Sequence, residues 1–276
     1  MNAQRVALVT GATSGIGEAT AHRLQGRGYV VFAVGRNPEA LAALRARGLH
    51  ARSLDITDEA AVKDLVEEIT TDHGHVDVLV NSAGLPLRGP LEQVPLRDIR
   101  YLFEAHVVAP LGLSQAVLPG MRARGSGTIV NIGSTGGRFT SPGAGAYHIS
   151  KYGLEAASLA LRAEVAPFGV RVSLIDPTGV RTRFVAAQLE QERSYADDDP
   201  YGDFKRRYDE AALRLTKTPG VMVSADKVAR AVLRVIDAKN PKPRYVVGLS
   251  GHASILAQAL LTDRMFERIT ASGLTR

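Results

Sequence analysis

Apolar residues along this chain fall into short unbroken runs, separated by stretches in which they recur every three or four positions. The runs lie at 5–10, 29–34, 51–54, 76–80, 128–132, 170–175 and about 244–247. A strand that reads as a continuous apolar run is covered on both faces, the pattern of a parallel sheet. The spaced stretches predict helices at 18–27, from Pro38 onward, and at 58–72, 97–123, 143–168, 225–239 and 252–268. Pro38 suits a first helical turn, and Asp58 stands where a side chain caps the helix that follows it. Strand and helix alternate throughout, so the expected fold class is α/β, a doubly wound parallel sheet with helices on both faces.

The alternation breaks at 181–223. That segment carries Asp197-Asp198-Asp199 and Lys205-Arg206-Arg207, with Phe184, Tyr195, Tyr201, Phe204 and Tyr208 among them. It reads as a helical lid inserted in a single domain spanning 1–276. No linker marks a second domain, and no repeat is present.

Composition narrows the function classes. The 276 residues are 45 % hydrophobic and 22 % charged, with no cysteine. Disulfides, thiolate metal sites and cysteine nucleophiles are therefore excluded, and no metal is expected. The first residues lack the apolar core and cleavage site of a secretory signal. No run approaches the ~18 apolar residues of a membrane span. A cytoplasmic protein is expected. The net charge of +6 is scattered, without a dense Lys/Arg run interleaved with aromatics. It fits a basic surface with an anionic cofactor and gives no sign of a nucleic-acid partner.

Three local patterns carry chemistry. Tyr147 and Lys151 stand four residues apart in a helical stretch, which places them on one face. A cation beside a phenol favours the phenolate and lowers a pKa of about 10. A phenol so tuned exchanges protons with a carbonyl or an alcohol. Gly11, Gly15 and Gly17 follow a strand and open a helix. The turn tolerates positive φ and close approach of a phosphate, and the helix N-terminus supplies N–H groups for a pyrophosphate. Their spacing is G-x-x-x-G-x-G rather than the usual G-x-G-x-x-G. The second strand ends in Gly35-Arg36, with no acid for a ribose 2′-hydroxyl, and an arginine there suits a 2′-phosphate, hence NADP(H) over NAD(H).

In these motifs, taken in order, the chain resembles the short-chain dehydrogenase/reductase family in its single-domain branch, from Arg5 to about Thr182. Thr10 to Gly17 matches T-G-x-x-x-G-x-G. Asp55 matches an aspartate that contacts the adenine. Asn81-Ser82-Ala83-Gly84 matches N-N-A-G, with Ser82 for the second asparagine. Ser134, Tyr147 and Lys151 match the catalytic serine, tyrosine and lysine, at spacings of thirteen and four. The resemblance implies a Rossmann-type fold of about seven strands. It implies a cofactor held by Gly11, Thr13, Ser14, Gly15, Ile16, Gly17, Arg36, Asp55, Ile56, Asn81, Ala83, Gly84, Tyr147, Lys151, Pro177, Val180 and Thr182. Tyr147 is then the acid/base, Lys151 lowers its pKa and holds the nicotinamide ribose, and Ser134 positions the substrate oxygen. Hydride passes between nicotinamide and substrate carbon. A homodimer or homotetramer is also implied.

Two departures stand out. Thr178 replaces the glycine of the family's P-G segment in Asp176-Pro177-Thr178-Gly179. His106 stands where an asparagine usually holds a relay water. Imidazole both donates and accepts and titrates near neutrality, so His106 is expected to support the relay and make turnover pH-dependent. At the substrate end, Leu85, Pro86, Leu87, Gly136, Gly137, Arg138, Phe139, Pro142, Phe184 and Tyr208 are candidates for an apolar pocket. Such a pocket takes a bulky ketone or secondary alcohol of steroid, retinoid or polyketide type. The segment 244–269 loosely resembles the tails of hydroxysteroid and retinol dehydrogenases. The expected function is an NADP(H)-dependent interconversion of a ketone or aldehyde with an alcohol. The alternatives are an NAD-dependent alcohol dehydrogenase and a nucleotide-sensing regulator on the same fold.

Overall fold

A computed structural model of the chain describes residues 4–182, 198–272 and 274. Seven parallel strands form one sheet in the order β3-β2-β1-β4-β5-β6-β9. They are β1 (Val6–Thr10), β2 (Val30–Gly35), β3 (His50–Ser53), β4 (Val78–Asn81), β5 (Gly127–Ile132), β6 (Val170–Pro177) and β9 (Arg244–Val247). Two short strands, β7 (Val180–Arg181) and β8 (Val223–Ser224), pair with each other. The helices are α1 (Gly15–Gln25), α2 (Pro38–Ala46), α3 (Glu59–His73), α4 (Leu96–Phe103), α5 (Ala109–Ala123), α6 (Gly145–Val165), α7 (Gly202–Lys217), α8 (Ala225–Asp237), α9 (Leu249–Leu260) and α10 (Asp263–Ala271).

The unbroken apolar runs have the expected cause. Alternate residues of each strand enter opposite cores, because side chains in a strand alternate faces. In β1, Ala7 and Val9 join the core that includes residues of α1, α2 and α8. Val6 and Leu8 join the opposite one, with residues of α3, α5 and the end of α6. A doubly covered sheet needs such strands. Helix starts follow local chemistry: Asn37 Oδ1 accepts from Ala40 N–H, and Asp58 Oδ1 from Ala61 N–H. The strand order reverses between β1 and β4, so a crevice opens there at the carboxyl edge.

The helix predicted at 97–123 runs from Leu96 to Ala123 but is interrupted by a π-turn, Glu104–Val108. Pro110 supplies the reason. It has no N–H to give the His106 carbonyl four residues back, and its ring crowds that carbonyl in regular α-geometry. By length and composition this helix is apolar enough to cross a membrane. It lies as a layer helix, however, with Leu113, Val117 and Met121 in the sheet core. The helix predicted at 252–268 is two helices, broken at Leu261 and restarted by Thr262, whose Oγ1 accepts from Met265 N–H.

Between β7 and β8, the described part of the 181–223 segment holds α7. Side chains of this part reach the loops before α4 and α6: Asp199, just before α7, accepts from Gln93 Nε2 at 2.8 Å, and the Tyr208 and Phe204 rings of α7 occupy the space a side chain on Gly143 would need. Phe184, Tyr195 and Asp197 lie outside the described residues.

Candidate active site

The carboxyl ends of β1, β2, β4, β5 and β6 surround a cavity of about 520 Å³. One end is built by backbone. Gly11 and Gly15 adopt φ of +63° and +58°, a region side chains disfavour. A Cβ on Gly11 would lie 2.7 Å from Ala83 Cα, so the first glycine lets two loops touch. Ser14 precedes α1 without capping it. The first amides of α1 are therefore left without a side-chain cap beside the cavity, in contrast to α2 and α3. Uncapped amides and the helix dipole make an anion site. This cradle fits the pyrophosphate of a dinucleotide.

Arg36 lies at the rim, donating Nη1 to Tyr101 Oη at 3.0 Å and standing 4.0 Å from Asp55. Asp55 accepts from Thr57 N–H and Thr57 Oγ1, and these bonds, with Arg36 adding to them, hold its carboxyl below the usual range. Thr13, Ile16, Ile56, Ala83, Gly84, Pro177, Val180 and Thr182 also face the cavity.

Two residues expected at the cofactor are elsewhere. Asn81 is buried behind the cavity, where its Nδ2 donates to Pro110 O and to Asn131 Oδ1, and Asn131 continues to Ser158. It ties β4 to β5 and to the long helices instead of lining the site. Gly17 is likewise a packing residue: a Cβ there would lie 2.4 Å from Gly11 O.

The other end is built by side chains. Ser134 follows β5, and Tyr147 and Lys151 stand one turn apart on α6. All three line the cavity. The Ser134 hydroxyl bonds the Tyr147 phenol and also accepts from Gly136 N–H at 3.0 Å. Lys151 Nζ donates to Ile132 O at 3.1 Å and lies 5.7 Å from the Tyr147 ring centre.

The expected depression of the Tyr147 pKa is corrected here. Burial pushes the phenol up to about 12, the Ser134 bond opposes that rise, and the Asp176 charge adds to it. Burial brings Lys151 down to about 8, against an upward pull from Asp176. Removing a charge from water outweighs a single cation at ring distance.

His106 also departs from expectation. Its ring is buried and packs edge-on against Tyr147 at 5.8 Å between centres. Nε2 accepts from Leu85 N–H at 3.0 Å, so the ring proton sits on Nδ1, 2.8 Å from Ser150 Oγ. Both nitrogens are engaged. Burial, then the Lys151 charge, holds the pKa well below its ordinary value. The imidazole stays neutral through the physiological range and pins the Gly84-Leu85 loop to α6.

Thr178 fits without the usual glycine because its neighbours give way. A side chain on Gly248 (φ +123°) would lie 2.0 Å from Thr178 Cγ2. Thr178 Oγ1 lies 2.8 Å from Ser250 Oγ, which reaches Val221 O.

At the substrate end, Leu85, Pro86 and Leu87 line the cavity, whereas 136–139 turn away from it. The Gly136 carbonyl meets His148 Nδ1 at 2.7 Å, Arg138 pairs with Glu155, and Phe139 packs on Phe266. Pro142 does not line the cavity either. Three residues were not among the expected site residues: Tyr101 at the rim, His148 clamping Gly136 and Ser141, and buried Asp176. Tyr101 sits in an amphipathic helix, His148 follows Tyr147, and Asp176 precedes Pro177.

The short chain dehydrogenase family model matches residues 5–193. The chain belongs to the short chain dehydrogenase family. It is 35 % identical over 281 residues to the NADPH-dependent 3-dehydrocapnine reductase of Ornithobacterium rhinotracheale, covering 99 % of this chain and 98 % of that protein. It is 31 % identical over 245 residues to the 3-ketodihydrosphingosine reductase of Bacteroides thetaiotaomicron, covering 88 % of each. Among solved structures, the closed form of serine dehydrogenase complexed with NADP+ superposes with a TM-score of 0.76 at 29 % identity, over 88 % of this chain and 94 % of that one. This short chain dehydrogenase family member is thus an oxidoreductase on a Rossmann-type, seven-stranded parallel sheet.

Proposed function

We propose that the protein is an NADP(H)-dependent reductase that converts a ketone to a secondary alcohol, with Tyr147 as the proton donor. The observation that carries this reading is one shared cavity. It joins an uncapped helix N-terminus at one end to Ser134, Tyr147 and Lys151 at the other. The first amides of α1 and the glycine loop hold the pyrophosphate, and Arg36 takes the 2′-phosphate. When bound, the reduced nicotinamide supplies the hydride. Ser134 orients the carbonyl oxygen and Tyr147 gives it a proton.

Burial, which pushes the Tyr147 phenol up to about 12, keeps its proton in place at neutral pH, the form from which a proton can be given to a carbonyl oxygen. The names of the two relatives both place an oxidised carbon at position 3. With the apolar wall of Leu85, Pro86 and Leu87, this points to a 3-oxo compound bearing an apolar chain. The described part of the 181–223 segment covers that end as a lid, supported by the bond of Asp199 to Gln93 and the contact of the α7 rings Phe204 and Tyr208 with Gly143.

One observation favours a second reading, NAD(H). Arg36 is already bonded to Tyr101 and faces Asp55, so part of its donor capacity is committed.

The test is a fluorescence titration with NADPH and NADH, followed by turnover of a panel of 3-oxo compounds. NADPH should bind more tightly by about tenfold, and a 3-oxo compound with an apolar chain should be reduced. Equal affinities would favour the second reading. Absence of reduction across the panel, with cofactor bound, would overturn the assignment of reductase activity.

A further inference from the structure

His148 follows the phenol of the site in sequence but serves a different element. It lies on α6 next to Tyr147, is buried, and does not line the cavity. Successive helical residues are about 100° apart around the axis, so the two rings leave α6 in different directions. Both imidazole nitrogens are used. Ser141 N–H meets Nε2 at 3.1 Å, and Nδ1 lies 2.7 Å from Gly136 O. A backbone N–H can only donate and a carbonyl can only accept, so Nε2 is the acceptor and Nδ1 carries the proton. The Ser141 hydroxyl also lies 3.1 Å from Nε2. Burial lowers the pKa of the ring, with the Gly136 bond opposing, and so favours the neutral form that this pattern requires.

The residue that His148 holds is also the one that holds Ser134. Ser134 opens a short turn, Thr135–Gly137, and its Oγ accepts from Gly136 N–H at 3.0 Å. The same Oγ bonds the Tyr147 phenol. Gly136 is pressed between the two side chains: a Cβ there would lie 3.1 Å from His148 Nδ1 and 3.3 Å from Ser134 Oγ. Gly137 has no more room, since a Cβ on it would lie 2.9 Å from Lys151 O. The turn that presents Ser134 is thus laid directly on α6, the helix that carries Tyr147 and Lys151. The bond from His148 to Gly136 ties it there at the residue that reaches Ser134. A displacement of about 1 Å at a positioning group can cost about 10²-fold in rate, so this tie bears on the chemistry.

We propose that His148 is a positioning residue which, through Gly136, sets the place and direction of the Ser134 hydroxyl relative to the Tyr147 phenol. This inference rests on the reductase reading, in which Ser134 orients the carbonyl oxygen. The Gly136 N–H occupies a lone pair of Ser134 Oγ and leaves the Ser134 proton for the phenol or the substrate oxygen. Without the Nδ1 proton the Gly136 carbonyl loses its side-chain donor, the turn shifts on α6, and Ser134 moves with it.

The test uses the full-length chain. His148→Ala removes both ring bonds. His148→Asn keeps an amide N–H near the Nδ1 position and so the bond to Gly136. His148→Gln carries its amide toward the Nε2 position and serves Ser141 instead. With a 3-oxo compound that wild type reduces, His148→Ala should lower kcat about 10- to 100-fold. Its Kd for NADPH should stay within about twofold, because the backbone cradle is untouched. His148→Asn should stay within about fivefold of wild-type kcat, and His148→Gln should fall with His148→Ala. In a Ser134→Ala background, His148→Ala should lower kcat by less than about twofold further, since residues that act as one unit are not additive. In the cofactor-free protein, amide exchange at Gly136 should quicken about tenfold in His148→Ala and not in His148→Asn. Wild-type kcat in folded His148→Ala would overturn the proposal. So would equal losses in His148→Asn and His148→Gln, or a full further loss in the Ser134→Ala background. Should His148→Ala fail to fold, the contrast between His148→Asn and His148→Gln decides. If wild type reduces no ketone, the functional reading fails, and Gly136 exchange still decides whether His148 holds the Ser134 turn.

Discussion

The two ends of the cavity are made of different material. The nucleotide end is backbone: positive-φ glycines, amides at the start of α1, and a loop contact between Gly11 and Ala83 that a methyl group would block. The proton end is side chain: a buried phenol, ammonium, imidazole and carboxyl whose states depend on one another. Backbone sites owe their electrostatics to fixed dipoles and change little with pH. Buried ionisable groups owe theirs to desolvation and to neighbours, so they respond steeply to both. One end is therefore expected to fail through shape and the other through charge.

The largest test of that contrast is Tyr147→Phe. Reductase turnover should fall about 10²- to 10⁴-fold, while NADPH affinity by fluorescence titration stays within about twofold because the backbone end is untouched. Normal turnover in this variant would remove the proton end from the mechanism.

Next comes the pH dependence of stability. Asp176 is raised by burial to about 7, so the folded chain binds an extra proton between about 4 and 7. Its contribution is full below about 4 and is lost as pH rises through 7, a swing of roughly 4 kcal/mol at most. Lys151, lowered by burial to about 8, works oppositely. The folded chain has lost that proton while the unfolded one keeps it to about 10.4, so stability returns as pH rises through that window. Denaturant midpoints measured from pH 4 to 10 should dip between pH 7 and 8. In Asp176→Asn, the decline between pH 4 and 7 should flatten.

At the backbone end, Gly17→Ala drives a methyl into the Gly11 carbonyl and should cost about 1–3 kcal/mol by denaturant unfolding, together with NADPH affinity. Gly112→Ala, where nothing stands within 4 Å, should be neutral or gain up to about 1 kcal/mol. Equal effects at the two sites would mean that close approach does not shape the loop.

The smallest expected effect is on the pH–rate profile of His106→Asn. A neutral imidazole should leave the profile between about pH 5 and 8 unchanged in shape, with a stability loss of about 1–2 kcal/mol from the broken Leu85 and Ser150 bonds. A shift in that window would show that His106 does titrate in the working enzyme.

The sheet, the order of its elements and the glycine loop were legible because they rest on local rules. Continuous apolar runs demand two covered faces, Pro38 and Asp58 mark helix starts, and glycines after a strand mark a close turn. The spacing of Ser134, Tyr147 and Lys151 was legible for the same reason, since one helix turn fixes two of them. Asn81 and Gly17 show the limit, because a motif letter does not say whether its position faces the cavity or packs against a neighbouring element. Asn81 turned inward to Asn131.

What the chain alone determined, then, is a doubly wound fold and the place along it where a glycine-rich helix start and a phenol meet. What only the tertiary structure decided is the charge state of that place. The Tyr147 phenol is raised and not lowered, His106 is neutral with both nitrogens in use, and Asp176 is buried with its Oδ2 lacking a hydrogen-bond partner among the described residues, in the space Gly133 leaves. Periodicity and turn chemistry act over a few neighbouring residues. Desolvation and coupling act between groups that the sequence separates by tens of positions, and they take effect only when the fold has closed around them.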